Sequence, residues 1–340
     1  MLVNLRDTIS LLSKLTPKRI VNAFQVWCSF MIAKKFRSGE ISGSPISIAI
    51  EPTTSCNLRC PECPSGLRSF SRPTGRLSTV LFEQIIKEVS DRLLYLTFYF
   101  QGEPYLNPNF LDMVSVAARH RIYTTTSTNA HFLNDRIAKR TVESGLDRLI
   151  ISIDGASQET YESYRKNGDL SKVKAGTENI LKWRKKLRKN KPKVVWQFLV
   201  VKPNEHEIPV IKKLSKAYGV DKVAFKTAQI YDYKKGSPLI PSIDKYSRYR
   251  RNEDGTYSIK SRLDNRCWKM WQSCVITWDG KVIPCCFDKD AHHSLGTIGA
   301  DSFESIWYSS GYRAFRKTLF TSRSEIEMCK NCTEGLKVWA

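Results

Sequence analysis

The chain has 340 residues, of which 41% are hydrophobic and 26% charged, and this balance excludes a largely disordered or a membrane-embedded protein. Its formal net charge of +22 favours anionic partners, but the Lys and Arg residues are scattered, so nucleic acid is not the partner we favour. Its ten cysteines fall mainly into two groups about two hundred residues apart, which is typical of two metal sites in a reducing compartment, and we expect a cytoplasmic protein.

The first 39 residues alternate basic and apolar side chains at roughly helical spacing. Their longest apolar stretch, residues 20–33, is interrupted by three polar side chains, so it is too short and too polar to span a bilayer. We expect residues 1–45 to form a helical segment that either packs on the domain behind it or makes peripheral contact with an anionic membrane surface through residues 1–39. Packing is the interpretation that we favour.

Strand and helix patterns alternate behind this segment. The predicted strands are 46–50, 94–100, 122–128, 148–153, 193–201 and 222–230, and the predicted helices are 78–90, 109–120, 133–144, 158–165, 170–187 and 205–218. Six such units predict an α/β fold, a partial (β/α)6 TIM-like barrel over residues 46–230. A polar linker at 231–265 and a small cysteine-rich module at 266–340 complete the predicted organisation.

Three cysteines, Cys56, Cys60 and Cys63, lie in the loop directly after the first predicted strand. No fourth Cys or His lies next to them in the sequence, whereas a structural zinc site is normally closed by four protein ligands. An iron–sulfur cluster held by three thiols leaves one iron open for a further ligand. The loop therefore predicts a catalytic metal centre.

Polar residues also follow the next three predicted strands. Gly102 and Glu103 follow the second strand, Thr128 and Asn129 end the third, and Ser152, Asp154 and Gly155 end the fourth. Each of them taken singly is typical of an ordinary turn. Because parallel α/β sheets bind ligands at the carboxyl ends of their strands, their recurrence after successive strands predicts one binding rim.

The C-terminal module predicts a second metal site. A hairpin at 276–283 turns at Asp279 and Gly280, with Cys285 just beyond its second strand. The hairpin exit, an earlier cysteine and a Cys-x2-Cys pair can together supply four ligands to an iron–sulfur cluster or to zinc. The cysteines of this module are Cys267, Cys274, Cys285, Cys286, Cys329 and Cys332.

The spacing of Cys56, Cys60 and Cys63 resembles the motif of the radical S-adenosylmethionine (SAM) enzymes. The resemblance implies that these thiols hold a 4Fe-4S cluster whose open iron binds S-adenosyl-L-methionine. Residues 101–104 are similar to the Gly-Gly-Glu-Pro motif of the family, with Gln101 in place of the first glycine. The implied cofactor contacts are Gly102 and Glu103 for the amino group, Thr128, Asn129 and Ser152 for ribose and carboxylate, and Arg165 as a bidentate partner of the methionyl carboxylate.

The cysteine pattern from 267 to 332 resembles the opening half of the SPASM domain, in its abbreviated "twitch" form. The resemblance implies one auxiliary 4Fe-4S cluster, because the further cysteines of a full SPASM domain do not follow in this sequence. The ligands that we favour are Cys267, Cys285, Cys329 and Cys332. Cys286 could replace Cys285, since adjacent residues of an extended chain point to opposite sides, and Cys274 is best explained as a packed side chain.

The two resemblances together imply a radical SAM oxidoreductase that forms a 5′-deoxyadenosyl radical and removes a hydrogen atom from its substrate. With the auxiliary cluster as electron acceptor, we expect net oxidation of a small polyol, amino sugar or glycan-type substrate. One alternative is a peptide- or protein-modifying maturase, and a second is a zinc-stabilised nucleic-acid-binding protein. The resemblance also implies an electron donor such as flavodoxin or ferredoxin.

Overall fold

The structure of the chain is a computed structural model that describes residues 2–332. The first residue of the predicted N-terminal segment and residues 333–340 of the predicted C-terminal module lie outside the described residues. The helices are α1 (Leu2–Leu12), α2 (Pro17–Phe36), α3 (Pro64–Leu67), α4 (Thr79–Val89), α5 (Phe110–Arg119), α6 (Asp135–Glu143), α7 (Gln158–Tyr164), α8 (Leu170–Lys186), α9 (Ile208–Tyr218), α10 (Lys269–Gln272), α11 (Phe303–Trp307) and α12 (Ser310–Thr318). The strands are β1 (Ser47–Ile50), β2 (Tyr95–Thr97), β3 (Tyr123–Thr128), β4 (Arg148–Ser152), β5 (Lys193–Val200), β6 (Lys222–Thr227), β7 (Tyr249–Arg251), β8 (Tyr257–Ile259), β9 (Ser273–Ile276) and β10 (Val282–Ile283).

The main sheet confirms the predicted partial barrel. Strands β1 to β6 pair in parallel in sequence order, with helices between them. Alternate residues of each strand point to the helix layer, as in β5, where Val194, Trp196 and Phe198 are fully buried. The carboxyl ends of these strands therefore form one rim, as the sequence predicts.

The predicted hairpin of the C-terminal module is present, and it joins the barrel sheet. Strand β9 pairs in parallel with β1, from Ser47 opposite Ser273 to Ile50 opposite Ile276, and β10 pairs antiparallel to β9. The full order is β10-β9-β1-β2-β3-β4-β5-β6. The module is thus attached to the strand that leads into the cysteine loop.

The structure corrects three predicted element boundaries. The strand expected at 94–100 is only Tyr95–Thr97, the residues that pair with Ser47–Ala49 of β1 and with Tyr123–Thr125 of β3. The helix expected at 205–218 begins at Ile208, since residues 202–207 form a 3-10 turn. The linker expected at 231–265 to lack regular structure contains the β7–β8 hairpin.

Two helices, rather than one, make up the N-terminal segment. The break falls before α2, where Thr16 caps the helix and Pro17 begins it. Helix α1 lies over the amino-terminal end of the barrel, because Asp7 contacts Tyr123 and Arg148, the first residues of β3 and β4. Within residues 2–332 we find no helix that combines the length and the apolar character needed to cross a membrane.

Candidate metal and cofactor site

The three thiols of the loop after β1 all contact one buried, mostly apolar cluster. Cys56 and Cys63 pack against a buried cluster that contains Cys60 and Leu58, and Cys60 is 4% exposed. Burial raises the pKa of Cys56 to about 12 and also raises that of Cys60, although the positive charge of Arg165 opposes the second shift. Thiolates in such surroundings need a compensating cation, which a bound metal cluster supplies.

The donor set fits an iron–sulfur cluster better than a single ion. Among residues 2–332, no three Cys, His, Asp or Glu side chains lie close enough together to hold one metal ion. A 4Fe-4S cluster does not require this, because each cysteine binds a different iron at a corner of the cluster. Three thiols on one short loop beside a buried apolar cluster are compatible with this requirement.

The rim residues converge on the carboxyl group of Glu103. Its side chain is buried and accepts hydrogen bonds from Thr128 Oγ1 at 2.7 Å and from the Asn129 backbone N–H at 2.8 Å. Burial raises the pKa of Glu103 to about 7, although these hydrogen bonds and the charge of Arg165 favour ionisation. A cationic ligand placed beside it would stabilise the carboxylate, so the position suits the amino group of the predicted cofactor.

Gly102 allows the loop after β2 to approach the cysteine loop closely. Its φ is +72°, and a Cβ atom would come within 2.2 Å of the Thr53 carbonyl oxygen, so only glycine fits. The Gly102 N–H donates to Ser65 Oγ at 2.8 Å, and the Glu103 N–H donates to the Ser55 carbonyl at 2.8 Å. An ammonium group needs an acceptor, so the carbonyl of Gly102 would make the predicted contact.

Arg165 points into the site rather than to solvent. It is the C-cap residue of α7, and its side chain is 17% exposed. Its Nε atom donates to Asp154 Oδ2 at 2.5 Å, and its Nη1 atom lies 3.8 Å from Cys60 Sγ. The fully buried Asp154 also accepts a hydrogen bond from the Leu199 backbone N–H at 2.6 Å. The carboxylate therefore fixes the guanidinium beside the cysteine loop.

Ser152 reaches the same rim by strand register. It is the last residue of β4, is 5% exposed, and follows Ile151, which pairs with Thr128 on β3. The structure therefore assembles all nine predicted residues at one end of the barrel, three thiols and six cofactor contacts.

Two further residues of this site, Asn57 and Ser65, were not assigned from the sequence, and Asp154 was expected at the rim without a role. Asn57 accepts a hydrogen bond from Asn129 Nδ2 at 2.8 Å, Ser65 accepts one from Gly102, and Asp154 holds Arg165. The position of Asp154 just after a predicted strand marks it as a rim residue. No sequence feature indicates the partner of any of the three, because each contact joins separate loops.

Arg323 lies where the predicted auxiliary cysteines gather. Its Nη2 atom is 3.4 Å from Cys332 Sγ. Burial lowers the pKa of Arg323, but the neighbouring thiols of Cys267, Cys332 and Cys329 outweigh it and raise the pKa. Cys285 belongs to the same buried cluster as Cys267 and Cys329. The four favoured cysteines thus share one region, with a guanidinium available to offset thiolate charge.

Cys286 and Cys274 have different surroundings from this set. Cys286 is half-buried and lies 3.5 Å from Lys269 Nζ, and a hydrogen bond from Cys285 lowers its pKa to about 5. The choice between Cys285 and Cys286 as ligand stays a prediction. Cys274 is on β9, opposite Ile48 of β1, and packs in the barrel core. Its burial raises its pKa, as expected for a packed thiol.

A buried ion pair connects the two cysteine regions. Glu51 follows β1 and accepts two hydrogen bonds from Arg72, at 2.8 and 2.6 Å, while the Trp278 backbone N–H of the hairpin turn donates to the same carboxylate at 3.3 Å. The Arg72 Nε atom donates to the Lys289 carbonyl at 3.3 Å. These contacts therefore join the barrel to the module next to the cysteine loop.

An open groove of about 650 Å3 lies between the cysteine loop and the module. Pro64 and Leu67 of α3 form one side, and Tyr231, Lys289 and Asn331 contribute to the other. Its lining mixes aromatic, basic and acidic groups. The groove offers a substrate access to the side of the site where Cys63 lies.

Two family models match the chain. A model of the Radical SAM superfamily matches residues 50–214, and a model of an iron–sulfur cluster-binding domain, SPASM, matches residues 267–333. The first covers the predicted barrel and the second the predicted module.

Whole-chain similarities extend across both regions. The chain is 24% identical over 317 residues to the tungsten-containing aldehyde ferredoxin oxidoreductase cofactor-modifying protein of Pyrococcus furiosus, covering 84% of this chain and 86% of the relative. It is 24% identical over 330 residues to the PqqA peptide cyclase of Bradyrhizobium diazoefficiens, covering 89% and 82%. The structure of Streptococcus suis SuiB bound to precursor peptide SuiA superposes with a TM-score of 0.61 at 14% identity, covering 91% of this chain and 74% of that chain, which shows the shared fold.

Proposed function

The chain belongs to the radical SAM superfamily and carries a SPASM module, and from this premise we propose that it modifies a peptide substrate by hydrogen-atom abstraction. Membership implies S-adenosyl-L-methionine, a 4Fe-4S cluster and auxiliary iron–sulfur chemistry. The single observation that carries the radical chemistry of this proposal is the convergence of the three thiols of the cysteine loop with Glu103 and Arg165 at one rim. The core would be residues 46–230 and the auxiliary module residues 266–340.

We assign the residues their roles by the chemistry of their side chains. Cys56, Cys60 and Cys63 would hold the first cluster. The buried carboxylate of Glu103 suits the ammonium group of the methionyl moiety, and the planar guanidinium of Arg165 suits its carboxylate. When bound, the reduced cluster and S-adenosylmethionine supply the 5′-deoxyadenosyl radical that removes a substrate hydrogen atom.

The remaining rim residues position these groups and exclude water. Asp154 holds Arg165, and the backbone N–H of Asn129 orients Glu103. The apolar cluster behind the thiols limits solvent access, which protects a reactive intermediate from side reactions. The auxiliary cluster, which we assign to Cys267, Cys285, Cys329 and Cys332, would accept the electron that the substrate loses.

A peptide is now the substrate class that we favour over the small polyol or amino sugar expected from the sequence. The PqqA peptide cyclase, which acts on a peptide, is similar to this protein along most of both chains. The open groove of about 650 Å3 beside the cysteine loop has room for an extended peptide segment. These two observations support the peptide interpretation.

The test is an anaerobic turnover assay. Protein with reconstituted clusters is reduced with dithionite and given S-adenosylmethionine, and 5′-deoxyadenosine is measured with short peptides encoded beside its gene or with a panel of polyols and amino sugars. We expect peptide-dependent product and a peptide that has lost two hydrogens. Bound iron without 5′-deoxyadenosine would overturn the enzyme assignment, and stimulation by a polyol alone would overturn the peptide assignment. A colourless zinc protein with salt-dependent nucleic-acid binding would support the zinc alternative.

Arg165→Lys is expected to weaken S-adenosylmethionine binding by about tenfold. Lysine keeps the charge beside Asp154 but loses the two parallel N–H donors that match a carboxylate. The measurement is equilibrium dialysis of the cofactor against reconstituted protein. Arg140→Lys is the matched control, since Arg140 pairs with Asp112 on the surface and should leave the affinity unchanged. Equal affinities for both variants would contradict the assignment.

Cys274→Ala is expected to retain all iron and to cost about 1 kcal/mol of stability, because it removes one sulfur from the barrel core. Cys329→Ala should instead lose the iron of the auxiliary cluster. Iron analysis and visible absorbance after reconstitution distinguish the two variants. Loss of iron from the Cys274 variant would show that this thiol is a ligand.

A further inference from the structure

Helix α2 turns its large apolar side chains outward. Outside α1 and α2, only Leu67 and Val80 are large apolar residues at least half exposed within the described part of the chain. Six side chains of α2 exceed half exposure: Ile20, Val21, Phe24, Trp27, Ile32 and Phe36. At helical spacing they cover one side of the helix, so they form a continuous apolar face, here called the α2 outer face.

The opposite side of α2 is fixed to the protein by apolar packing of Val26 and Ala33 against the C-terminal module and by polar contacts. The Arg19 guanidinium is 4% exposed and donates to the carbonyls of Ser90 and His120 at the ends of α4 and α5, at 2.8 and 2.9 Å. The Asn22 side chain donates to the Ser44 carbonyl at 2.9 Å and accepts from the Ser44 N–H at 2.7 Å. Rotating the apolar face inward would break these buried contacts, so the outward orientation is built into the fold.

Helix α1 also exposes apolar side chains. Leu5, Ile9 and Leu12 lie on one side of this helix and are each more than half exposed. Leu5 and Ile9 also line an open groove of about 990 Å3 whose other wall includes Lys189 and Lys191. Apolar side chains thus lie beside lysines at the amino-terminal end of the barrel, in a groove that also contains Asp147 and Asp221.

The charge of these helices is predominantly positive. The first 39 residues contain seven Lys or Arg and a single acidic residue, Asp7, whose carboxylate is engaged by Tyr123 and Arg148. Lys34 and Lys35 are exposed near the end of α2. A helix with an aromatic and aliphatic face bordered by lysines is typical of segments that lie in the headgroup region of anionic membranes.

We propose that α1 and the α2 outer face dock the protein onto an anionic lipid bilayer. Docking a second copy through this face would bring together two chains of net charge +22 and two lysine-bordered surfaces, whereas anionic headgroups neutralise the same charges. Because α1 covers the end of the barrel opposite the rim, the bilayer would leave the cofactor site accessible. The proposal is independent of the substrate class.

The test is co-sedimentation of the full-length reconstituted protein with vesicles of phosphatidylcholine, with and without one-quarter phosphatidylglycerol. We expect binding to the anionic vesicles that weakens with salt. The combined Phe24→Ser, Trp27→Ser and Ile32→Ser variant should bind at least about tenfold more weakly, because three exposed apolar side chains are removed. Lys34→Glu with Lys35→Glu should reduce binding to the anionic vesicles by about tenfold.

Val80→Ser with Val210→Ser is the matched control, because both valines are exposed apolar residues outside the N-terminal helices. It should bind like the parent protein, and circular dichroism checks that every variant is folded. No binding of the parent protein to anionic vesicles would overturn the proposal, as would unchanged binding of the triple serine variant. A dimer that the triple serine variant abolishes, without vesicle binding by the parent, would assign the face to self-association instead.

Discussion

Replacing Cys56, Cys60 and Cys63 together with Ala is expected to abolish 5′-deoxyadenosine formation and to remove about half of the bound iron. The three thiols contact one buried cluster in which Cys60 lies beside Arg165, and the assigned auxiliary cysteines gather separately around Arg323. Loss of the first cluster should therefore leave the second in place. Iron analysis, visible absorbance and the turnover assay measure the three effects.

Cys28→Ala is the control for this experiment. Cys28 is a half-buried residue of α2 and is not part of either assigned set. Its replacement should leave both the iron content and the turnover unchanged. Residual 5′-deoxyadenosine formation by the triple variant would contradict the assignment of the loop, and loss of all iron would contradict the independence of the two clusters.

Glu51→Gln is expected to reduce the free energy of unfolding by about 3–5 kcal/mol, because it leaves the Arg72 guanidinium buried without its counter-charge. The two side chains are 0% and 5% exposed and make two parallel hydrogen bonds. Since the pair also joins the hairpin turn to the barrel, turnover should fall with stability. Urea unfolding followed by far-ultraviolet circular dichroism measures the change.

Glu40→Gln makes the same chemical change in an exposed ion pair with Arg313 and should cost less than about 1 kcal/mol. Burial raises the pKa of Glu51 even though Arg72 acts in the opposite direction, so desolvation is the larger effect at this pair. Replacing both partners with Leu should therefore recover part of the lost stability. Equal costs for the two glutamine variants would mean that the Glu51 contact is not a buried ion pair in solution.

The residues of the candidate cofactor site differ in how well the sequence predicts their positions. The cysteine loop, Glu103 and Asn129 follow directly after strands, and parallel pairing brings the ends of such strands together, so their proximity could be predicted. Arg165 was expected from the family resemblance alone. Its guanidinium is held by Asp154, eleven positions earlier in the chain. The two residues meet only because the turn after β4 and the end of α7 fold back on each other.

The N-terminal segment shows most clearly what the sequence could not predict. Its helical spacing predicts an apolar and a polar side, and the usual expectation is that the apolar side packs inward. In α2 apolar side chains lie on both sides: Val26 and Ala33 pack inward, while six others face solvent because the inward side is also occupied by Arg19 and Asn22, which find partners on α4, α5 and the loop before β1. No local pattern indicates that such partners exist.

The sequence by itself determined the α/β class, the six parallel strands, the two cysteine groups and the identity of the rim residues, because strand periodicity and short motifs are local properties of the chain. Only the tertiary structure decided that β9 pairs with β1, that the Glu51–Arg72 ion pair joins the module to the barrel, and that the α2 outer face is exposed to solvent. Each of these depends on contacts between residues far apart in the chain. Such contacts are selected by shape and hydrogen-bond complementarity, which exist only once the chain has folded.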